Sequence, residues 1–209
     1  GKYLKVKYGI NSKTLFPPSI SRDNIYHNKK TKIKSKNSKI KIITVCRLSR
    51  EKNIYQIIKV ISEIKKKVYL DIIGDGPEKK NILKFISSLN LNDSVKLIGF
   101  KKNPIKYLKT ADLYINSSFF EGFPNSVVEA ANINLPIIAS QSYGGINEIL
   151  SKGKGGSIYN DSNDLRNLIT KFLNNPTNFI KKTRIAKMKS LEFTVKNHVN
   201  KFEEMLEKI

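Results

Sequence analysis

From Lys41 onward the chain alternates between two hydrophobic periods. Apolar runs of strand length fall at 42–46, 68–73, 95–99, 113–116 and 136–139, with a short sixth run at 157–159. Segments with helical spacing separate them. Ile54, Ile57, Ile58, Ile61 and Ile64 step by three and four residues, as do Ile82, Leu83, Ile86 and Leu89. Strand, helix, strand, helix over this length predicts an α/β fold. Its core is a parallel sheet of about six strands, covered by helices on both faces and wound right-handedly. The last third reads as helical. Leu165, Leu168, Ile169, Phe172 and Leu173 make one amphipathic face, Pro176 suits the start of the next helix, and Phe202, Met205, Leu206 and Ile209 make a terminal face.

Ahead of this alternation the chain changes character. Gly9-Ile10-Asn11 and Phe16-Pro17-Pro18 are turn and extended signals, and residues 21–39 are polar and lysine-rich, so 1–39 reads as a connecting segment with a mobile loop. Residue 1 is not Met, and a segment of a longer protein is expected. Residues 40–193 read as the main domain and 194–209 as a terminal helix.

The chain's 209 residues carry 39 Lys and Arg against 17 Asp and Glu, a formal charge of +22. Nucleic acid, an anionic membrane face and phosphate-bearing small molecules all suit that sign. The lysines are spread over nearly every segment and Arg is scarce, which argues against a dedicated nucleic-acid reader. Compositional bias and attraction to a membrane surface fit better. A single cysteine, Cys46, excludes an internal disulfide framework and agrees with a cytoplasmic, reducing compartment. It sits in an apolar run and reads as a small buried hydrophobe. No run of 18 apolar residues predicts a membrane span, and the first residues lack the apolar stretch of a signal peptide.

Four stretches at expected strand ends carry chemistry, because an open parallel sheet binds ligands beyond the carboxyl ends of its strands. In Glu121-Gly122-Phe123-Pro124-Asn125-Ser126-Val127-Val128-Glu129 two carboxylates stand eight positions apart around a flexible turn that enters a helix. Carboxylates accept hydrogen bonds from polyol hydroxyls, and a helix start presents N–H groups to anions. In Arg47-Leu48-Ser49-Arg50-Glu51-Lys52 the flanking cations Arg47 and Lys52 stand beside another helix start, suited to a diphosphate or else simply solvated. Gly74-Asp75-Gly76-Pro77 is a tight turn, structural or ligand-binding. Gly99-Phe100-Lys101 follows the third strand and could meet a planar base. Gly144-Gly145 reads as a backbone hinge. His27 and His198 lie far apart, and no metal-ligand spacing, phosphate-binding P-loop or Gly-x-Ser-x-Gly elbow occurs.

Taken together, these stretches resemble the C-terminal, donor-binding, Rossmann-like domain of GT-B glycosyltransferases of retaining family 4. Arg47 to Lys52 is similar to that family's Arg-x4-Lys segment, Gly74-Asp75-Gly76-Pro77 to its glycine turn, and Glu121 to Glu129 to its Glu-x7-Glu motif. The Phe-Pro-Asn filling resembles members that act on bacterial surface polysaccharides, lipopolysaccharide included, and on lipid-linked oligosaccharides.

The resemblance implies a nucleotide-sugar donor, UDP-sugar first, bound as substrate, with no metal and no cofactor. It implies Arg47 and Lys52 on the diphosphate, Glu129 on the ribose hydroxyls, and Glu121 on the transferred sugar with backbone N–H groups of Gly122, Phe123 and Asn125. Ser126 and Val127 would offer N–H groups to phosphate, Phe100 and Lys101 would line the base pocket, and Gly74 would belong to the binding loop. Arg47, Lys52 and Glu121 would be the catalytic set, Glu121 in a positioning role. It further implies an N-terminal acceptor domain as partner, a glycan or lipid-linked acceptor, little transfer by the chain alone, a terminal helix crossing back to that domain, and a peripheral place at the inner membrane face. Two other readings stay open on the residues alone: a nucleotide-sugar epimerase or hydrolase half of the same architecture, and a basic nucleic-acid-binding module.

Overall fold

The computed structural model describes residues 39–64, 68–142 and 144–206. The expectations for residues 1–38 lie outside the described residues. Six strands form one parallel sheet: β1 (Ile40–Val45), β2 (Val68–Ile73), β3 (Val95–Gly99), β4 (Leu113–Asn116), β5 (Ile137–Ser140) and β6 (Ser157–Tyr159). Their order across the sheet is β3-β2-β1-β4-β5-β6, and all five pairings are parallel. The helices between them are α1 (Ile54–Glu63), α2 (Lys79–Ser88), α3 (Ile105–Leu108), α4 (Asn125–Asn132) and α5 (Ile146–Ile149). After β6 come α6 (Ser162–Asn174), α7 (Thr177–Ser190) and α8 (Val195–Leu206).

Neighbouring strand residues point to opposite faces, and both faces are covered. Ile42, Leu70, Ile72, Leu113, Ile115 and Ile138 pack under Ile54, Ile57, Ile58 and Ile61 of α1, Ile82 and Ile86 of α2, and Leu165 and Ile169 of α6. Ile43, Ile73, Tyr114, Ile137 and Ala139 pack on the other side, against Val127, Val128 and Ala131 of α4, Ile149 of α5 and Ala186 of α7. Burial on two faces explains why the strands read as continuous apolar runs rather than as alternating ones.

The strand order reverses between β1 and β4, which pair through Ile42–Leu113 and Ile43–Tyr114. The chain leaves β1 toward one face of the sheet and β4 toward the other. The loops therefore diverge and open a crevice above the two strand ends.

The terminal helix carries its apolar stripe uncovered. Val195, Val199, Phe202 and Leu206 recur at helical spacing but remain 42%, 44%, 50% and 54% exposed. The amphipathic stripe is real, and nothing among the described residues covers it.

Candidate functional site

The loop after β1 and the loop after β4 are fastened together across the crevice. Ser117 Oγ donates to the Lys52 carbonyl at 2.7 Å, and the Phe119 N–H donates to the Glu51 carbonyl at 2.9 Å. These bonds bring Lys52 Nζ to 2.9 Å from Glu121 Oε2. The other carboxylate oxygen of Glu121 accepts from Ser118 Oγ at 2.6 Å and from Asn116 Nδ2 at 3.2 Å. Ser140 on β5 braces the same loop by donating to the Ser118 carbonyl at 2.6 Å. Glu121 is thus buried, oriented by three donors from two strand ends, and matched by one cation. Such a carboxylate is held in place before any ligand arrives.

Two glycines make this arrangement possible. Gly144 has φ +111°, and a Cβ there would lie 1.5 Å from the Glu121 carbonyl oxygen. The loop after β5 therefore lies directly on the backbone of the Glu121 loop, at a distance only glycine permits. Gly74, with φ +146°, packs in the same manner against the loop after β1: a Cβ would lie 1.8 Å from the Cys46 carbonyl oxygen. Its buried position supports the loop that carries Arg47 and Lys52.

Arg47 is exposed on the β1 loop, near enough to Glu51 to help hold that carboxyl below its ordinary range, after the hydrogen bond from Ser49. Glu129 is half-buried on α4, one turn beyond Ser126, and burial pushes its carboxyl up to about 7. Cys46 follows the end of β1. Burial pushes its thiol up to about 12, with Lys52 pulling in the opposite direction and Glu121 adding to the rise.

The first turn of α4 differs in detail from the expectation. The Asn125 N–H donates to the Phe123 carbonyl at 3.1 Å, and those of Val127 and Val128 donate to the Pro124 carbonyl at 3.0 and 3.3 Å. Of these first-turn N–H groups, that of Ser126 is the one with no protein acceptor among the described residues. Phe123 turns its ring inward, edge-on to Phe193 with centroids 5.0 Å apart, and Gly122 is exposed beside it. Phe100 and Lys101 lie beyond β3, at the edge of the sheet and two strands from β1. Phe100 is 72% exposed, and Lys101 Nζ sits 5.8 Å from the centre of the Tyr107 ring.

The structure thus joins Lys52 to Glu121 across the crevice, with Arg47 exposed on the same loop as Lys52, and Ser126 and Glu129 one turn apart on the helix that follows Glu121. Four residues that orient the site were given no role in the motif reading: Tyr114, Asn116, Ser117 and Ser118. The run Asn116-Ser117-Ser118 did carry a signal, three small polar residues where an apolar strand ends, and all three are buried. Tyr114, inside the apolar run, carried none.

A family model described as glycosyl transferases group 1 matches residues 25–189. The chain belongs to that family, and its six-stranded parallel sheet with helices on both faces is Rossmann-like and matches GT-B glycosyltransferase structures. An uncharacterized glycosyltransferase of Methanocaldococcus jannaschii is 38% identical over 111 residues, 52% of this chain and 27% of that relative. The N-acetylgalactosamine-N,N'-diacetylbacillosaminyl-diphospho-undecaprenol 4-alpha-N-acetylgalactosaminyltransferase of Campylobacter jejuni is 30% identical over 123 residues, 59% of this chain and 34% of that one. The alpha-monoglucosyldiacylglycerol synthase of Acholeplasma laidlawii is 29% identical over 182 residues, 84% of this chain and 45% of the synthase. The chain spans less than half the length of these relatives. Among solved structures, Anabaena HepE in complex with UDP and glucose superposes with a TM-score of 0.75 at 23% identity, over 84% of this chain and 50% of that one. Sucrose-phosphate synthase from Thermosynechococcus elongatus gives 0.83 at 18% identity, over 99% and 55%.

Proposed function

We propose that this chain is the C-terminal, donor-binding part of a retaining, metal-independent glycosyltransferase of family 4. It takes a UDP-sugar, and the whole protein passes the sugar to a glycan or lipid-linked acceptor in bacterial surface glycan synthesis. The observation that carries this reading is the fastening of the Lys52 loop to the Glu121 loop at the point where the strand order reverses, with the first turn of α4 following Glu121 directly in the chain. The diphosphate lies over the cations and the Ser126 N–H, the ribose hydroxyls reach Glu129, and the sugar hydroxyls reach Glu121. HepE, a structural neighbour, forms complexes with UDP and with UDP-glucose, which supports the choice of donor.

Negative charge grows on the departing diphosphate as the sugar becomes cation-like. Fixed positive groups aimed at that oxygen stabilise the transition state more than the ground state. Arg47 and Lys52 supply this role without a metal. Glu121 already holds Lys52 and two neutral donors, so it serves to place the sugar and the lysine rather than to attack. A net charge of +22 favours an anionic inner membrane face, where lipid-linked acceptors reside, and no helix among the described residues is long and apolar enough to cross a membrane.

The test is product analysis with the whole protein, labelled UDP-sugars and candidate acceptors. A labelled glycoside, formed with the anomeric configuration of the donor, is expected. Free or epimerised sugar as the only product overturns the transferase reading.

A further inference from the structure

We propose that Tyr114 is a positioning residue that presents the Ser126 hydroxyl as a hydrogen-bond donor to the diphosphate of the bound nucleotide. This rests on the nucleotide-sugar reading above and adds to it a role for a residue in the core.

Tyr114 is completely buried on β4, under the first turn of α4. A buried phenol needs an acceptor for its O–H. Ser126 Oγ lies at 2.8 Å, while the Val45 carbonyl, at 3.5 Å, is at the limit of bonding. Burial raises the phenol's pKa, so it remains a donor throughout the working range. The serine hydroxyl has one hydrogen and two lone pairs. With Tyr114 donating to a lone pair, the serine hydrogen is left for another acceptor.

A helical serine ordinarily turns that hydrogen back to a carbonyl in the preceding turn. Here, with the Tyr114 phenol acting as donor, no other acceptor for it occurs among the described residues, and the Ser126 N–H has none. Asn125, Val127 and Val128 all give their N–H groups to Phe123 or Pro124. Ser126 therefore offers two hydrogens from one residue, at the positive end of α4 and above the strand end from which the Lys52 loop departs. Phosphate oxygens are strong acceptors and suit such a pair. A hydrophobe in place of Tyr114 would let the hydroxyl fold back onto the helix.

Calorimetric titration of the chain with UDP and with uridine tests this, using Tyr114→Phe, Ser126→Ala and the double variant. Tyr114→Phe is expected to weaken UDP about three- to tenfold and to leave uridine unchanged. Ser126→Ala should do the same, and the double variant should be no weaker than Ser126→Ala alone. Equal losses for UDP and uridine, or additive losses, overturn the inference. Wild-type chain that binds UDP while Tyr114→Phe is silent overturns it alone, whereas wild-type chain that binds no nucleoside diphosphate overturns the donor reading and this inference with it. If Tyr114→Phe unfolds, Ser126→Ala and Ser126→Thr decide: Ala must lose UDP selectively and Thr must keep it, and any other pattern refutes the assignment.

Discussion

Replacing Lys52 by Met should cost stability out of proportion to the atoms removed, and a second substitution should restore most of it. The ammonium and the Glu121 carboxylate are 2.9 Å apart, with side chains only 18% and 9% exposed. Their attraction is about 6 kcal/mol at an effective dielectric constant near 20. Much of that offsets the cost of taking both charges out of water, so the pair as a whole contributes little. Removing one partner is different, because a nearly buried carboxylate is then left without its cation. Breaking fully buried pairs costs about 3–5 kcal/mol. Ser118 and Asn116 continue to donate to Glu121, and Lys52 keeps some contact with water, so about 2–3 kcal/mol is expected here. Lys52→Met/Glu121→Gln retains shape and both neutral hydrogen bonds without a stranded charge, and should lie within about 1 kcal/mol of wild type. Urea unfolding at pH 7, followed by circular dichroism, reads both numbers. A Lys52→Met loss below about 0.5 kcal/mol, or a double variant no better than the single, refutes the claim that the two loops are locked by a buried pair.

Other outcomes follow from the same geometry. Gly144→Ala forces a methyl group into the Glu121 carbonyl in a backbone conformation that L residues avoid, so a loss of about 3 kcal/mol and a Tm drop of roughly 6–12 °C are expected by calorimetric scanning. Glu129, with its folded pKa raised to about 7, binds more protons folded than unfolded between its ordinary value of 4.5 and 7. Stability should therefore fall as pH rises through that window, by about 1–2 kcal/mol, and Glu129→Gln should remove this fall in urea titrations at pH 5 and pH 8. For the same reason uridine should bind more tightly at pH 8 than at pH 6 to wild type, since the ionised carboxylate is the better acceptor of ribose hydroxyls, and with no such trend to Glu129→Gln. Cys46, its thiol held at about 12, should react with iodoacetamide at pH 8 far more slowly in the folded chain than in urea.

Much of the fold was legible because the strands are buried on both faces, which writes them as apolar runs. The edges show where pattern and hydrogen bonding part. Pro136 reads as apolar but has no N–H, and β5 begins at Ile137 while the Pro136 carbonyl still accepts from Tyr114. Cys46 reads as strand, and its N–H does bond to the Ile73 carbonyl at the end of β2, but β1 ends at Val45 as the chain turns into the cation loop. That Lys52 and Glu121 stand in loops at strand ends was legible from their place after apolar runs, and the structure pairs them. The groups that orient them were not. Whether Tyr114 reaches Ser126 depends on which face of β4 it occupies and on where α4 crosses it, and neither is encoded in the apolar run itself. Likewise Val127 looked equivalent to Ser126 as an N–H donor until the Pro124 carbonyl was seen to accept from it.

The central claim is that a nucleoside diphosphate sits above the ends of β1 and β4, between the Lys52 loop and α4. Amide hydrogen exchange with and without UDP, read by mass spectrometry, tests it most directly. Slowed exchange confined to peptides spanning 46–54 and 117–129, and lost in the Arg47→Ala/Lys52→Ala variant, is the predicted result. Protection by UDP elsewhere on the chain, or none at saturating nucleotide, contradicts it.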